Sequence, residues 1–256
     1  MELNLAGRTV LITGGSKGIG LGCAKRFAAE GCNLVLVARS EDQLKEAADT
    51  IRKSAQVNVR TLALDLSVEA QRDRLVREVP DIDVLVNNAG AIPGGNIFDV
   101  DDKAWRTGWE LKVFGYVNLT RAYFTLMKEK KRGVIINICG AGGETLSFGY
   151  IAGAAGNASL MAFSRAMGGT SIDWGVRVLA VNPGPVETDR VVYLAKQRAA
   201  SQGDESRWRE DFKRMPYGRP ADVDEIAPMV VFLASDLARY VSGTVVTIDG
   251  GLQHHR

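Results

Sequence analysis

Short runs of apolar and β-branched residues alternate with amphipathic stretches along the whole chain. The period-two and buried runs predict strands over 9–13, 33–38, 59–64, 84–87, 134–138, 176–181 and 245–248. Helical spacing predicts helices over 19–30, 40–53 (with Ser40 as cap), 105–127, 152–167 and 223–234. Strands that alternate with helices pair in parallel through right-handed crossovers. The expected fold is therefore α/β, one doubly wound, seven-stranded parallel sheet spanning residues 1–256. Only the stretch 188–215 lacks a clear period. It is too long for a plain connection and reads as an irregular lid over a site.

The first strand, with Val10-Leu11-Ile12 at its centre, runs directly into Thr13-Gly14-Gly15-Ser16-Lys17-Gly18-Ile19-Gly20, and a helical pattern follows. Gly14, Gly18 and Gly20 permit a tight turn and let a pyrophosphate approach the backbone at the positive end of a helix. Glycines serving only the turn are the alternative reading. The second strand ends at Ala38-Arg39-Ser40. A carboxylate there would hold an adenosine ribose and repel a 2′-phosphate. Instead Arg39 offers a planar charged fork, and Lys17 supplies a second charge nearby. The two favour NADP(H) over NAD, unless both are merely solvated cations.

Charge narrows the class. The chain has 256 residues, 32 basic and 30 acidic, with a net charge of +2. Bulk charge therefore gives no reason to expect a nucleic-acid or membrane-surface partner. No apolar run approaches the ~20 residues of a spanning helix. A chain this long buries roughly 75% of its unfolded surface, so it needs no staple for a core. Cys23, Cys32 and Cys139 are odd in number and lack metal-ligand spacing, which predicts reduced thiols, no metal and a cytoplasmic setting. The start runs straight into the first strand, so no signal peptide is expected.

At these motifs the chain resembles the short-chain dehydrogenase/reductase family, in particular its 3-oxoacyl-carrier-protein reductases. Further motifs follow in order over nearly the whole length. Asp65-Leu66 resembles the adenine-contacting pair. Asn87-Asn88-Ala89-Gly90 resembles the strand-four motif, with Asn88, Ala89 and Gly90 bordering the cofactor. Asn182-Pro183-Gly184-Pro185-Val186-Glu187-Thr188 resembles the loop that holds the nicotinamide carboxamide, with Pro183, Gly184, Val186 and Thr188 beside it. Gly218-Arg219-Pro220 and Ile248-Asp249-Gly250-Gly251 match the C-terminal part. The resemblance implies a single Rossmann domain, an NADP(H) cofactor with Ser16 and Ile19 also lining its loop, a small carbonyl or alcohol substrate, and a homo-oligomer, either a tetramer or a dimer.

The same resemblance exposes a break. The family carries Tyr-x-x-x-Lys on the helix after the fifth strand, a serine thirteen residues before that tyrosine, and an asparagine on the preceding long helix. Aligning on 134–138 and on Phe163-Ser164-Arg165 puts Gly153 at the tyrosine, Asn157 at the lysine and Gly140 at the serine. Lys112 falls where the asparagine is expected. Lysine and asparagine have in effect exchanged helices, and a lysine stem is long and flexible enough to serve one pocket from either side. Tyr150 lies one helical turn before Gly153, and positions 150, 153, 154 and 157 share a face.

The expected catalytic set is a relocated relay: Tyr150 as acid/base, Lys112 as the charge that tunes it, Asn157 as bridge. One geometric objection stands. Helical side chains lean toward the N-terminus, which would point Tyr150 away from Gly153 unless it sits in the preceding loop. The competing readings are Tyr150 as an aromatic wall and Lys112 in a buried ion pair with Glu144. For the whole chain they are a catalytically silent NADP-binding protein or a lyase or isomerase on the same fold.

Other residues read more plainly. Cys139 has no nearby histidine and is expected to pack. Trp105 and Trp109 are expected to pack, and His254 and His255 to be surface groups. The lid carries Arg190, Lys196, Arg198, Arg207, Arg209, Lys213 and Arg214 among apolar residues, a pattern compatible either with an acyl thioester or with an ordinary solvated lid.

Overall fold

The computed structural model of the protein describes residues 2–90, 92–201 and 203–254, apart from the side chains of Arg198 and Ser201. Seven strands form one sheet: β1 (Thr9–Thr13), β2 (Asn33–Ala38), β3 (Val59–Ala63), β4 (Val84–Asn87), β5 (Gly133–Ile138), β6 (Val176–Pro183) and β7 (Val245–Ile248). They lie in the order β3-β2-β1-β4-β5-β6-β7, every pair parallel. The order reverses between β1 and β4, where Ile12 stands opposite Val86. Crossovers leave such a point toward opposite faces and open a crevice beyond the strand C-termini.

Alternation along the strands feeds two cores. Val10 and Ile12 pack on one face with Phe27, Leu44 and Ile226, from α1 (Gly18–Ala29), α2 (Glu41–Ser54) and α9 (Val223–Ala234). Leu11 and Leu85 pack on the other face with Leu75 and Tyr123, from α3 (Glu69–Glu78) and α5 (Gly115–Lys130). Residues buried on both sheet faces explain the near-continuous apolar runs of the central strands.

Three departures from the sequence expectation matter. Helix α3 is absent from the expected elements: Glu69–Glu78 buries only Arg72 and Leu75, too little to print an apolar stripe. The single helix expected over 105–127 is two helices, α4 (Asp102–Trp109) and α5, joined by a π-helical turn at Glu110–Phe114. The stretch 188–215, expected to be irregular, begins with helix α8 (Asp189–Ser201) and continues as 3₁₀ turns at Glu205–Arg207 and Glu210–Arg214.

The remaining helices are the single-turn α6 (Gly142–Thr145) and the long α7 (Ile151–Ser171). Small residues let α7 lie close to its neighbours: a methyl group on Gly156 would sit 3.2 Å from Trp109 Nε1, and one on Gly168 2.0 Å from the Val178 carbonyl. Trp109 and Trp105 pack with ring centroids 6.0 Å apart, as expected. Among the described residues, no helix is long and apolar enough to cross a membrane.

Candidate active site at the strand C-termini

The glycine loop after β1 is held by Thr13 and Asn88. The Thr13 hydroxyl oxygen accepts from the backbone N–H groups of Asn88 (2.9 Å) and Ala89 (3.0 Å). The Asn88 amide donates to the carbonyls of Thr13 (3.0 Å) and Gly14 (3.2 Å). Asn88 thus shapes the loop, a role the family motif alone does not distinguish from ligand contact. Gly14 has φ +66°, and a methyl group on Gly20 would lie 2.2 Å from the Gly14 carbonyl oxygen. Only hydrogen fits there. Lys17 is the N-cap of α1 and its side chain caps nothing, so the first N–H groups of α1, beside half-buried Ser16, Gly18 and Ile19, lack a side-chain cap and suit an anion.

Around the adenosine end, Arg39 is exposed at the end of β2. Asp65 folds back on itself: its carboxylate accepts from the Ser67 N–H (2.9 Å) and hydroxyl (2.7 Å). Burial pushes the Asp65 carboxyl up, but the two Ser67 hydrogen bonds and the Arg39 charge outweigh it and hold the group below its ordinary value. Leu66 is buried. The β2 end carries Arg39 and no acidic side chain, and the Arg39 charge acts on the ionised Asp65 nearby, so the residues fit a phosphorylated dinucleotide.

The opposite rim is formed by β6 and β7. Pro183 ends β6, the Gly184 N–H donates to Ile248 (2.9 Å), and a methyl group on Gly184 would press Asp249 Cα at 3.0 Å. The Val186 side chain is buried in the core. Thr188 leans across the crevice until its Cγ2 lies 3.3 Å from where a methyl group on Gly18 would be.

The three residues of the expected relay lie around the segment that follows β5. Tyr150 is the N-cap of α7 with φ −140° and ψ 40°, outside the helix. A backbone bridge fixes it there: Gly95 donates to Gly149 (3.0 Å) and Ile151 donates to Gly95 (3.2 Å). Freed from helical geometry, the ring turns over the helix. A methyl group on Gly153 would lie 2.0 Å from Tyr150 Cζ and 2.2 Å from Cε1. The phenol therefore occupies the space of a residue-153 side chain, and the geometric objection to Tyr150 falls.

Asn157 is 4% exposed. Its Nδ2 lies 3.1 Å from a methyl group placed on Gly140 and 3.7 Å from one placed on Gly142, while Tyr150 Cε1 lies 3.3 Å from that same Gly142 position. Its Oδ1 is buried with no hydrogen-bond partner among the described residues.

Lys112 stands in the π turn and runs past Gly90 into the sheet. A methyl group on Gly90 would meet Lys112 Cδ at 2.3 Å. The ammonium donates to the carbonyls of Ile138 (2.6 Å) and Cys139 (3.3 Å) and to the Tyr116 hydroxyl (2.9 Å). All three of its protons are satisfied. Burial lowers its pKa to about 8, against a smaller upward pull from Cys139 and with a further downward push from Arg190. It forms no hydrogen bond to Tyr150 or Asn157, so the structure brings the three residues to one cleft without closing a direct relay.

Nor does Lys112 pair with Glu144. The Glu144 carboxylate accepts from Asn182 (2.8 Å), Thr247 (3.1 Å) and Gln253 (2.5 Å). Tyr116 escaped the sequence reading although it stands four residues after Lys112, the spacing at which helical side chains meet.

Cys139 is buried, and burial outweighs the Lys112 and Arg165 charges to push its thiol to about 11, which fits packing and not nucleophilic attack. Arg190 of α8 donates to the Ile92 carbonyl, so α8 touches the loop after β4. Further along 188–215, Lys196 lies 3.8 Å from Glu205, Arg207 lies 2.6 Å from Glu210, and Arg209 stacks on Trp208 at 4.5 Å. His254 is exposed in a C-terminal turn, Arg198's side chain and His255 lie outside the described residues, and no group of metal-ligating side chains occurs among those described.

Comparison with known proteins agrees with this architecture. The family model described as enoyl-(acyl carrier protein) reductase matches residues 14–253. The 3-oxoacyl-[acyl-carrier-protein] reductase of Chlamydia muridarum is 30% identical over 98% of this chain and 100% of its own. The oxidoreductase UcpA of Salmonella typhimurium is 34% identical over 96% of this chain and 95% of its own. L-sorbose reductase from Gluconobacter frateurii, solved with NADPH and L-sorbose, superposes with a TM-score of 0.92 at 32% identity over 99% of both chains. With its sheet order, glycine loop and family match in agreement, the chain belongs to the short-chain dehydrogenase/reductase family.

Proposed function

We propose that the protein is an NADP(H)-dependent oxidoreductase that interconverts a small carbonyl compound and its alcohol, with Tyr150 as the proton donor and acceptor. The observation that carries this reading is the Tyr150 ring lying within 2.0–2.5 Å of a methyl group placed on Gly153. From one turn earlier, the Tyr150 ring fills the space into which a side chain at position 153 would start. The uncapped start of α1, Arg39 and Lys17 would hold the dinucleotide, and its nicotinamide, when bound, supplies or accepts hydride. Tyr150 gives its proton to the substrate oxygen in the reductive direction and takes it back in the oxidative one. Lys112 sits behind the cleft floor as a positive charge whose pKa burial lowers to about 8. Helix α8 and the turns after it act as the lid.

A small substrate is favoured over an acyl thioester because Lys196 and Arg207 are paired with acids of the lid itself and Arg209 stacks on Trp208. The relative solved with NADPH and L-sorbose supports both the cofactor and a compact polar ketone. The test is the purified protein with NADPH and a panel comprising a ketose, a cyclic diketone and a 3-oxoacyl thioester. Consumption of NADPH with one of them is expected. Thermal stabilisation by NADPH without turnover of any of them would instead make the protein a silent binder. Substrate conversion without change in nicotinamide absorbance would make it a lyase or isomerase.

A further inference from the structure

We infer that the Asn157 carboxamide is a second hydrogen-bond donor to the substrate's carbonyl oxygen, working beside the Tyr150 hydroxyl. This rests on the oxidoreductase reading above and gives Asn157 a direct task in place of the bridging one. Two observations point to it. The first is position: Asn157 Nδ2 and the Tyr150 ring converge within 3.7 Å and 3.3 Å of the same point above Gly142, and Nδ2 also lies 3.1 Å from the space beside Gly140. Nδ2 and one edge of the Tyr150 ring therefore face one glycine-lined wall.

The second is vacancy of bonding. Asn157 is 4% exposed, forms no side-chain hydrogen bond among the described residues, and leaves Oδ1 buried and unpartnered. Burying a carboxamide without partners opposes folding. A leucine of similar size would fill the space without that cost, and with no partner of its own among the described residues Nδ2 is left free to donate.

Most of the other donors along this wall are already committed. The Gly140 N–H goes to Asn182 Oδ1 (3.0 Å), the Ala141 N–H to Pro183 (2.8 Å) and the Gly143 N–H to Gly140 (3.1 Å). The Lys112 ammonium is spent on Ile138, Cys139 and Tyr116, and the Cys139 thiol points at the Asn137 carbonyl (3.7 Å). Asn157 Nδ2 is the buried side-chain donor left uncommitted on that wall. In the reductive direction the carbonyl carbon gains hydride from the reduced nicotinamide, the C=O π bond breaks, and the oxygen takes the phenolic proton. The oxidised nicotinamide and an alcohol result, and the tyrosinate recovers its proton from solvent. Asn157 keeps its N–H throughout and stabilises the charge that grows on oxygen, as an oxyanion donor does.

The experiment compares wild type, Asn157→Leu, Asn157→Asp and Tyr150→Phe. The readouts are kcat and KM for the panel carbonyl that wild type reduces fastest, NADPH affinity by fluorescence titration, and the thermal midpoint. For both Asn157 variants kcat is expected to fall ~10²–10³-fold, the usual effect of removing one oxyanion donor. KM and NADPH affinity should change little, and the leucine variant should melt no lower than wild type. The Asn157→Asp variant retains the shape and loses the donor, so it carries the test if the leucine variant does not fold. Unchanged kcat in the Asn157 variants alongside a Tyr150→Phe collapse would overturn the Asn157 role and leave the oxidoreductase reading standing. No NADPH consumption by wild type with any panel member would overturn both.

Discussion

The Lys112 ammonium and the Tyr116 hydroxyl lie 2.9 Å apart and converge on the same Ile138 carbonyl oxygen. A cation is thereby anchored at the end of β5, directly behind the cleft. Lys112→Met removes the charge but retains most of the stem. Turnover should fall roughly tenfold or more, since a preorganised charge behind the cleft stabilises negative charge growing on oxygen through a low dielectric. Steady-state kinetics check this. Turnover equal to wild type would show that Lys112 only packs.

The same residue predicts a pH signature in stability. Its pKa falls from 10.5 to about 8 on folding because of burial. Between those values the unfolded chain holds a proton that the folded chain has released, so this group favours folding increasingly as pH rises through that window. Below about pH 8 the full cost is present, about 3 kcal/mol from a shift of this size. The stability of Lys112→Met relative to wild type should therefore decline as pH rises from 7 to 10, measured by urea unfolding. The relative measure matters. Burial raises the thiols of Cys139, Cys23 and Cys32, which lowers the stability of both proteins at high pH. A difference that is flat with pH would contradict an ionised, buried Lys112.

Gly153→Ala tests the position of the phenol. The new methyl group would sit 2.0 Å from Tyr150 Cζ, so the ring must leave. Both Gly153→Ala and Tyr150→Phe should lose ~10²–10⁴-fold in kcat, the range for an acid/base group, and still bind NADPH. Full activity in Gly153→Ala would place the working proton donor elsewhere.

Arg39→Glu should weaken NADPH binding ~10–100-fold, the equivalent of one charge-assisted hydrogen bond. NADH binding should be unaffected or tighter, because the introduced carboxylate suits a ribose hydroxyl. Equal effects on the two dinucleotides would remove Arg39 from cofactor choice.

Gly20→Ala would put carbon 2.2 Å from a backbone carbonyl and 2.6 Å from Asn88 Nδ2. Neither neighbour is a flexible chain end, so stability should drop by ~1–3 kcal/mol. Thermal stabilisation by NADPH should vanish with it.

Much of this molecule is legible before folding. The sheet is, because strands such as Val10-Leu11-Ile12 are buried on both faces and print an unbroken apolar run. The glycine loop is, because Gly14 and Gly20 fit no other residue. Helix α3 is not: six of the ten residues of Glu69–Glu78 are charged, and it buries Arg72, whose guanidinium satisfies the Leu66 carbonyl at 2.8 Å. The lid helix is obscured in the same way, since Asp189–Ser201 mixes cations with apolar residues without a clean period.

The reacting end shows the sharper limit. Spacing puts Tyr150 and Gly153 on one face, but spacing alone aims the ring the wrong way. Its true direction depends on Tyr150 being held outside the helix by Gly95, a residue distant in sequence and adjacent in space. Lys112 is similar. Its reach is evident from its length, whereas its destination is set by carbonyls on β5.

The wide turn at Glu110–Phe114 closes through a hydrogen bond from the Gly115 N–H to the Glu110 carbonyl, one residue longer than an α turn. One surplus residue rotates everything downstream by about 100° relative to a regular helix. Upstream, the indole of Trp109 faces α7 and donates to Ala152 (2.9 Å), while downstream Tyr116 and Tyr123 face the sheet. A single rod thus answers to two neighbours set at different azimuths, and Lys112 stands at the joint between them. Deleting one residue there would leave the strand scaffold in place yet swing the cation out of register, so the charge behind the cleft is governed by helical phase as much as by side-chain identity.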